Sequence, residues 1–298
     1  MSEQPGWNSG AFEALRGRLF GIAYRMLGSR AEAEDVVQEA YLRWHDSDQT
    51  SIRSAEAWLV TTTTRLAIDR IRILKAERQA YMGQWLPEPL IGEQLPPPDR
   101  QVELAADLSV AFLVLLERLS PEERAAFLLH DVFDREYTEI AQILGKSEEA
   151  CRQIVHRARE RVRRDRKRFD VTEAARATLL RKFTAAVEAQ DEQTLLALFA
   201  PDATWTADGG GRVPALPRPM LGRERIVALI LGFWSRLQGL RPTLHLASVS
   251  GETGLCVRVD GQLQAVLSFE TDGERILTVN VMLNPEKLGA PAHGQRLN

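Results

Sequence analysis

The chain has 298 residues, 44% hydrophobic and 27% charged, enough for two or three domains with separate cores. Its apolar runs, such as Ala111–Leu116 and Ile226–Trp234, are too short to cross a bilayer, and Met1–Gly10 lacks the basic-then-apolar pattern of a secretion signal. The net charge of -3 speaks against a simple electrostatic DNA binder, and two isolated cysteines, Cys151 and Cys256, cannot build a zinc cluster and read as free thiols in a reducing compartment.

Phe12, Leu15, Leu19, Ile22 and Met26 recur at helical spacing and predict a first helix, broken by Gly28 and Ser29. A second helix runs from Arg30 to Trp44 on the stripe Val36, Val37, Ala40, Tyr41 and Trp44. The stretch Ala31–Asp48 holds six acids and one base, Arg43. His45–Ser54 is polar and reads as a loop. A third helix runs from Ala55 to about Arg78, and its part from Arg65 onward carries five bases and two acids. These segments predict a helical domain over residues 10–80. Pro87, Pro89 and Pro96-Pro97-Pro98 exclude helix and central strand, so residues 81–105 read as a linker. Trp85, Leu86, Leu90 and Ile91 sit in it, and apolar side chains in a linker imply a surface to pack on.

Helical periodicity returns over Val102–Leu119. Ser120-Pro121-Glu122-Glu123 is a helix start, with Ser as N-cap, Pro at the first position and Glu at the third. The helix Pro121–Asp131 precedes a helix-turn-helix pattern: Tyr137–Leu144, the turn at Gly145, the N-cap Ser147, then Glu148 to about Phe169. Residues 106–168 thus read as a second helical domain. In its last helix Cys151, Val155, Ala158 and Val162 form a core-facing stripe. Arg152, Gln153, His156, Arg157 and Arg159 fall on the remaining surface and suit base edges and phosphates in a major groove. Cys151–Asp170 carries nine bases and three acids. A solvated basic helix is the alternative; the turn and cap at the right place favour DNA binding.

From Thr172 the texture changes. Helices Thr172–Ala189 and Asp191–Phe199, a Gly/Pro-rich segment Asp208–Pro219 and a helix Gly222–Leu237 precede four strand-like runs: Thr243–Ser250, Leu255–Val259, Gln262–Phe269 and Arg275–Leu283. Asp260-Gly261 and Asp272-Gly273 mark turns. This predicts a separate α+β domain with an antiparallel meander over residues 172–288, and residues 289–298 read as a disordered tail. From Val171 onward 13 bases balance 13 acids. An acidic patch, two basic segments and a neutral tail fit a protein that touches both a protein partner and DNA.

Several motifs now agree with one family. Ala31–Trp44 resembles the acidic helix by which sigma factors of the extracytoplasmic-function class engage the clamp of RNA polymerase. Ala57–Arg72 resembles their minus-ten recognition helix. Leu119–Leu129, Tyr137–Ala141 and Ala150–Arg159 resemble the domain that reads the minus-thirty-five element. Thr172–Leu288 resembles a SnoaL-like domain of the nuclear-transport-factor-two-like superfamily. Tyr81–Leu90, Asp208–Gly211 and Asn284–Leu288 resemble motifs of the subgroup built with this tail. The resemblance implies two all-α sigma domains, the second with the helix-turn-helix, plus a cone-shaped α+β tail. It implies a cytoplasmic transcription initiation factor whose partners are core RNA polymerase and promoter DNA, with no membrane, cofactor or metal. Polymerase docking falls on Asp35, Gln38, Glu39 and Leu42. DNA contact falls on Thr61, Arg65, Arg72, Arg152, Gln153, His156, Arg157 and Arg159. Regulation in cis falls on Trp85, Leu86, Pro87, Glu88, Pro89, Asp208, Gly209, Gly210, Asn284, Pro285, Lys287 and Leu288. The family often has Asn where this chain has Arg65, Arg where it has Thr61, and a basic residue where it has Ile154.

The superfamily of the tail includes enzymes with a pocket Asp or His, and Asp208, His245 and Asp202 are the candidates here. Asp208 precedes three glycines, which places it on a flexible turn suited to a hinge. No Ser/His/Asp or metal-ligand spacing occurs. The expectation is a non-enzymatic tail that regulates by protein contact. A small-molecule ligand in its pocket, or retained acid/base activity, is the alternative.

Overall fold

The computed structural model describes residues 7–79, 81–92, 108–165 and 171–289. The expected linker residues 93–105, the end of the helix starting at Glu148 beyond Asp165 and tail residues 290–298 lie outside these described residues. The chain divides into two compact units. The first holds residues 7–79, 108 and 112–165; the second holds residues 81–92, 109–111 and 171–289.

In the first unit α1 (Trp7–Leu27), α2 (Arg30–Asp46) and α3 (Ala55–Gln79) pack on one another. Gly28 turns the chain between α1 and α2 at φ 66°, a conformation with little cost for glycine. Leu19, Ile22 and Met26 of α1, Val36, Val37, Ala40 and Trp44 of α2, and Leu59, Ala67 and Ile71 of α3 are buried. The Trp44 and Trp58 rings meet at 5.4 Å between centroids. The same unit holds most of α4 (Val110–Leu116), and α5 (Pro121–Asp131), α6 (Tyr137–Leu144) and α7 (Glu148–Asp165). Ser120 caps α5 reciprocally: its hydroxyl accepts from Glu123 N at 3.3 Å, and its N–H donates to the Glu123 carboxylate at 3.0 Å. Gly145, at φ 63°, ends α6 with the left-handed cap, and Ser147 Oγ accepts from Ala150 N at 3.2 Å to start α7. Cys151, Val155, Ala158 and Val162 are buried, and so is Ile154, a core side chain at the position where the family often carries a base. The helical segments 10–80 and 106–168 were expected as separate domains. Here α5 packs directly on α1 and α3, and α6 on α3.

The second unit follows the order α8 (Glu173–Glu188), α9 (Glu192–Leu198), β1 (Phe199–Asp208), β2 (Met220–Leu221), α10 (Arg223–Leu237), β3 (Pro242–Val249), β4 (Glu252–Val259), β5 (Gln262–Thr271) and β6 (Ile276–Met282). Its six strands form one sheet in the order β2-β1-β6-β5-β4-β3. The expected meander corresponds to β3–β6, but β1 and β2 are additional, and β1 runs parallel to β6 with Trp205 opposite Val279 and Asp208 opposite Met282. The β1 register is irregular between Phe199 and Thr204, so its burial does not alternate cleanly and no period of two betrays it.

Strand alternation splits the sheet into two faces. Ala265, Leu267, Phe269, Val279 and Val281 meet Leu180, Phe183, Ile226 and Ile230 of the helices in one core. Val266, Ser268, Asn280 and Met282 point the other way, and on that side lies the linker segment 81–92. Leu86 and Leu90 are 3% and 0% exposed there. Ser250 N donates to Leu90 O at 2.6 Å, Leu90 N donates to Ser250 Oγ at 3.1 Å, and Ile91 forms an antiparallel bridge to Val249.

Candidate functional site

In the second unit the linker is pinned by one carboxylate. Asp208 ends β1 and is fully buried, so the flexible turn expected for it is instead the end of a strand. Its Oδ1 accepts from Tyr81 Oη at 2.6 Å and Gly210 N at 2.9 Å; its Oδ2 accepts from Leu86 N at 2.8 Å and Lys287 Nζ at 2.7 Å. Its carbonyl accepts from Leu283 N and Asn284 N at 2.8 and 2.9 Å. Four donors on one buried carboxylate answer the desolvation that would otherwise disfavour its charge. Lys287 Nζ also donates to Leu86 O at 2.7 Å and stands 4.2 Å from the Trp85 ring centroid. Asn284 Nδ2 donates to Tyr81 Oη at 3.1 Å. Burial, then the bond to Asp208, push the Tyr81 phenol above its ordinary value.

The glycines after Asp208 are needed for this approach. A Cβ on Gly210 would lie 2.4 Å from the Asn284 side chain, at φ +63°, and one on Gly209 would lie 2.3 Å from Val213 O. Thus Trp85, Leu86, Asp208, Gly210, Asn284 and Lys287 come together. Pro87 and Pro89 are buried and line a shallow cleft with Val266, Ser268 and Asn280. Glu88 and Pro285 are half-buried, and Leu288 is buried. Tyr81 was read only as part of a linker motif; nothing in its spacing announces a bond to a residue 127 positions away.

The enzyme candidates do not converge. Asp208 spends its oxygens on the linker, while Asp202 and His245 are exposed, with His245 Nε2 3.0 Å from Thr243 Oγ1. Trp234 belongs to the helix-side core, and Trp205 packs against it. Among the described residues no cluster could hold a metal ion.

On the first unit Asp35, Gln38 and Leu42 are exposed along α2, and Glu39 is half-buried and bonded to Arg43 at 2.8 Å. On α7 Arg152, Gln153, His156 and Arg157 are exposed. Arg152 bonds Glu148 at 3.0 Å and stacks over Tyr137 at 5.2 Å. Arg159 differs: it is half-buried, its Nε donates to Asp131 at 2.7 Å, and the Asp131 bond holds its guanidinium even further above the usual range. It ties α7 to α5. On α3 Thr61 Oγ1 donates back to Ala57 O at 2.6 Å. Arg65 reaches Gln142 O and Ile143 O, and Arg72 bonds Asp69 and Glu122.

Comparison with known proteins gives three family matches: Sigma-70 region 2 over residues 11–76, Sigma-70 region 4 over residues 109–162, and a SnoaL-like domain over residues 180–281. The ECF RNA polymerase sigma factor SigJ of Mycobacterium tuberculosis (strain ATCC 25618 / H37Rv) is 38% identical over 299 residues, spanning 96% of this chain and 95% of that one. The probable ECF RNA polymerase sigma factor SigI of Mycobacterium tuberculosis (strain CDC 1551 / Oshkosh) is 31% identical over 284 residues, spanning 94% of each. The crystal structure of the Mycobacterium tuberculosis extracytoplasmic function sigma factor SigJ superposes with a TM-score of 0.76 at 37% identity, covering 94% of this chain and 98% of that one.

Proposed function

The chain belongs to the extracytoplasmic-function RNA polymerase sigma factors, with regions two and four followed by a SnoaL-like domain, and on that premise we propose that its tail controls the factor in cis by gripping the linker. The family activity is promoter-directed transcription initiation with core RNA polymerase. No helix among the described residues is long and apolar enough to cross a membrane. We place its action in the cytoplasm, where polymerase and promoter are found. Asp35, Gln38, Glu39 and Leu42 are the polymerase-facing residues of this reading. Arg152, Gln153, His156 and Arg157 are its minus-thirty-five contacts.

One observation carries the cis control. The buried Asp208 carboxylate joins Tyr81 and Leu86 of the linker to Lys287 at the end of the tail. The linker connects the two DNA-reading regions in sequence, so whatever holds it limits how far apart they can move. Run-off transcription with core polymerase tests the reading on three variants at equal protein level. Deletion of Val171–Asn298 lowers activity if the tail holds the productive arrangement of the linker. Deletion of Asn284–Asn298 raises it if the end of the tail is the inhibitory part. Replacement of Trp85 and Leu86 by Ala follows one of these two. Parental activity in all three would discard cis control.

The tail does no chemistry in this reading, which the engagement of Asp208 and the exposure of Asp202 and His245 support. A second reading, a small polar ligand taken up beside Ser268 and Asn280 under the linker, rests on the cleft at Pro87 and Pro89. The space in that cleft is about 10 Å³, room for roughly one water molecule.

A further inference from the structure

Arg152 is the first basic residue of α7, one turn in from the helix start, and two groups hold its side chain. Its guanidinium carbon stands 5.2 Å from the centroid of the Tyr137 ring, over the ring face. That is within the roughly 6 Å over which an aromatic quadrupole attracts a cation. Its Nη2 donates to Glu148 Oε2 at 3.0 Å, an i,i+4 pair along the helix surface. The two side chains of that pair are 56% and 42% exposed, so water screens it and it contributes little by itself. The ring supplies what the ion pair cannot, a flat surface that sets the plane of the guanidinium.

Tyr137 is itself fixed. It opens α6, and Glu136 N donates to the Glu139 carboxylate at 3.3 Å, which sets where that helix begins. The ring is half-buried and lies 4.3 Å, centroid to centroid, from His130 in the last turn of α5. His130 Nδ1 is 3.1 Å from Arg159 Nη2 and 2.9 Å from Asp131 Oδ1, and Arg159 Nε donates to the same carboxylate at 2.7 Å. Arg159 lies seven positions beyond Arg152, two turns along the same side of α7. Residues of α5, α6 and α7 thus form one row: Asp131, Arg159, His130, Tyr137, Arg152. Arg159 spends its donors inside the row. Arg152, at the outer end, has given one of its five N–H donors to Glu148 and keeps four.

The surroundings decide what those donors suit. Glu148 and Glu149 occupy the first turn of α7, and the Glu148 carboxylate sits against the Arg152 fork. A phosphate brought to Arg152 would meet that negative charge and be repelled. A base edge carries no net charge and is not. In the major groove guanine presents O6 and N7 side by side, two acceptors that match a planar guanidinium fork. Two acceptors are met at once only when the plane of the fork is correct. An arginine without a support must give up side-chain freedom to reach that plane. Stacked on Tyr137, Arg152 has given it up before DNA arrives.

We propose that Tyr137 is a positioning residue for promoter recognition: its ring holds the Arg152 fork so that it reads a guanine of the minus-thirty-five element rather than a phosphate. The inference rests on Arg152 being a minus-thirty-five contact, as proposed above, and adds what that contact reads and which residue aims it. Residue 137 then sets the base choice at one promoter position through Arg152. The ring and not the hydroxyl is the working part. Phenylalanine therefore serves in its place, and an aliphatic side chain of similar bulk does not.

The test assembles the full chain with core RNA polymerase and lets the holoenzyme select from a pool of random-sequence duplex DNA. Sequencing the bound molecules gives the base preference at each position, for the parent, Arg152→Ala, Tyr137→Leu and Tyr137→Phe. The parent should prefer guanine at one minus-thirty-five position by on the order of 10-fold, the discrimination expected of one bidentate pair. Arg152→Ala and Tyr137→Leu should reduce that preference below about 2-fold at that position alone, and Tyr137→Phe should keep it. Unchanged preferences at the minus-ten and the other minus-thirty-five positions report that the variants are folded. If Arg152→Ala alters no position, the minus-thirty-five assignment of Arg152 fails and the inference with it. If Arg152→Ala removes a preference that Tyr137→Leu keeps, or Tyr137→Phe loses it as fully as Tyr137→Leu, the assignment stands and the positioning role is overturned. Loss of every minus-thirty-five preference in Tyr137→Leu makes Tyr137 part of the scaffold and overturns the role too. A base other than guanine at the Arg152-dependent position overturns the assignment of what is read.

Discussion

Replacing Asp208 by Ala removes the acceptor shared by Tyr81, Leu86 N, Gly210 N and Lys287. The Lys287 side chain is only 12% exposed and loses its counter-charge. Breaking one partner of a buried ion pair costs about 3–5 kcal/mol, and a buried N–H left unpaired costs about 1–3 kcal/mol. These do not add, since all four donors share one site. Lys287 also keeps Leu86 O and the Trp85 ring, so the low end applies, about 3 kcal/mol. The Leu86 amide is the direct reporter, because its N–H is bonded to the missing carboxylate. Its hydrogen exchange measures local opening of the linker from the sheet. A loss of about 3 kcal/mol corresponds to roughly 100-fold less protection, provided opening of this segment limits exchange in the parent. Asp208→Asn preserves shape and one acceptor oxygen but not the charge, and should fall between the two. If Leu86 and Leu90 amides exchange within a factor of two of the parent in both variants, the carboxylate does not hold the linker. The cis-regulatory reading would then lose its central contact.

Four further outcomes are expected. The Tyr81 phenol is raised by burial and by Asp208, so its contribution is complete below the unfolded value of about 10 and is lost as pH climbs through the raised one; Trp85 fluorescence should show the linker loosening in that window, and Tyr81→Phe should make that loosening smaller. Alanine at Arg152 and Arg157 should weaken minus-thirty-five duplex binding by about 1–3 kcal/mol per lost specific contact, read by anisotropy at moderate salt. Arg159→Ala should instead lower the thermal stability of the first unit, because it removes the tie to Asp131; a pure DNA-affinity loss at parental stability would reverse that assignment. Charge reversal at Asp35 and Glu39 should weaken core binding and leave minus-thirty-five duplex binding unchanged, and the opposite pattern would return that face to DNA.

Local chemistry made much of this protein readable from its residues. The capping box at Ser120 and Glu123, the left-handed Gly145 and the buried stripe of Cys151, Val155, Ala158 and Val162 depend on neighbours within a few positions, so spacing alone reveals them. The prolines around Trp85 and Leu86 announced a linker that needs a surface, since apolar area left in water is unfavourable by roughly 25 cal/mol per Å². Distant pairings were not readable, because they depend on where the fold brings segments that are far apart in the chain. The parallel pairing of β1 with β6 joins segments with most of the tail domain between them. Arg65 looked like a DNA contact, and only packing shows its fork on Gln142 and Ile143; Arg159 looked like its neighbours until Asp131 came within reach. Asp208, read as part of a turn, became the most heavily bonded carboxylate of the linker contact because β1 ends where residues 81–86 and 284–287 meet. Residue type and spacing determine which groups can bond; the tertiary fold alone decides which of them are close enough to do so.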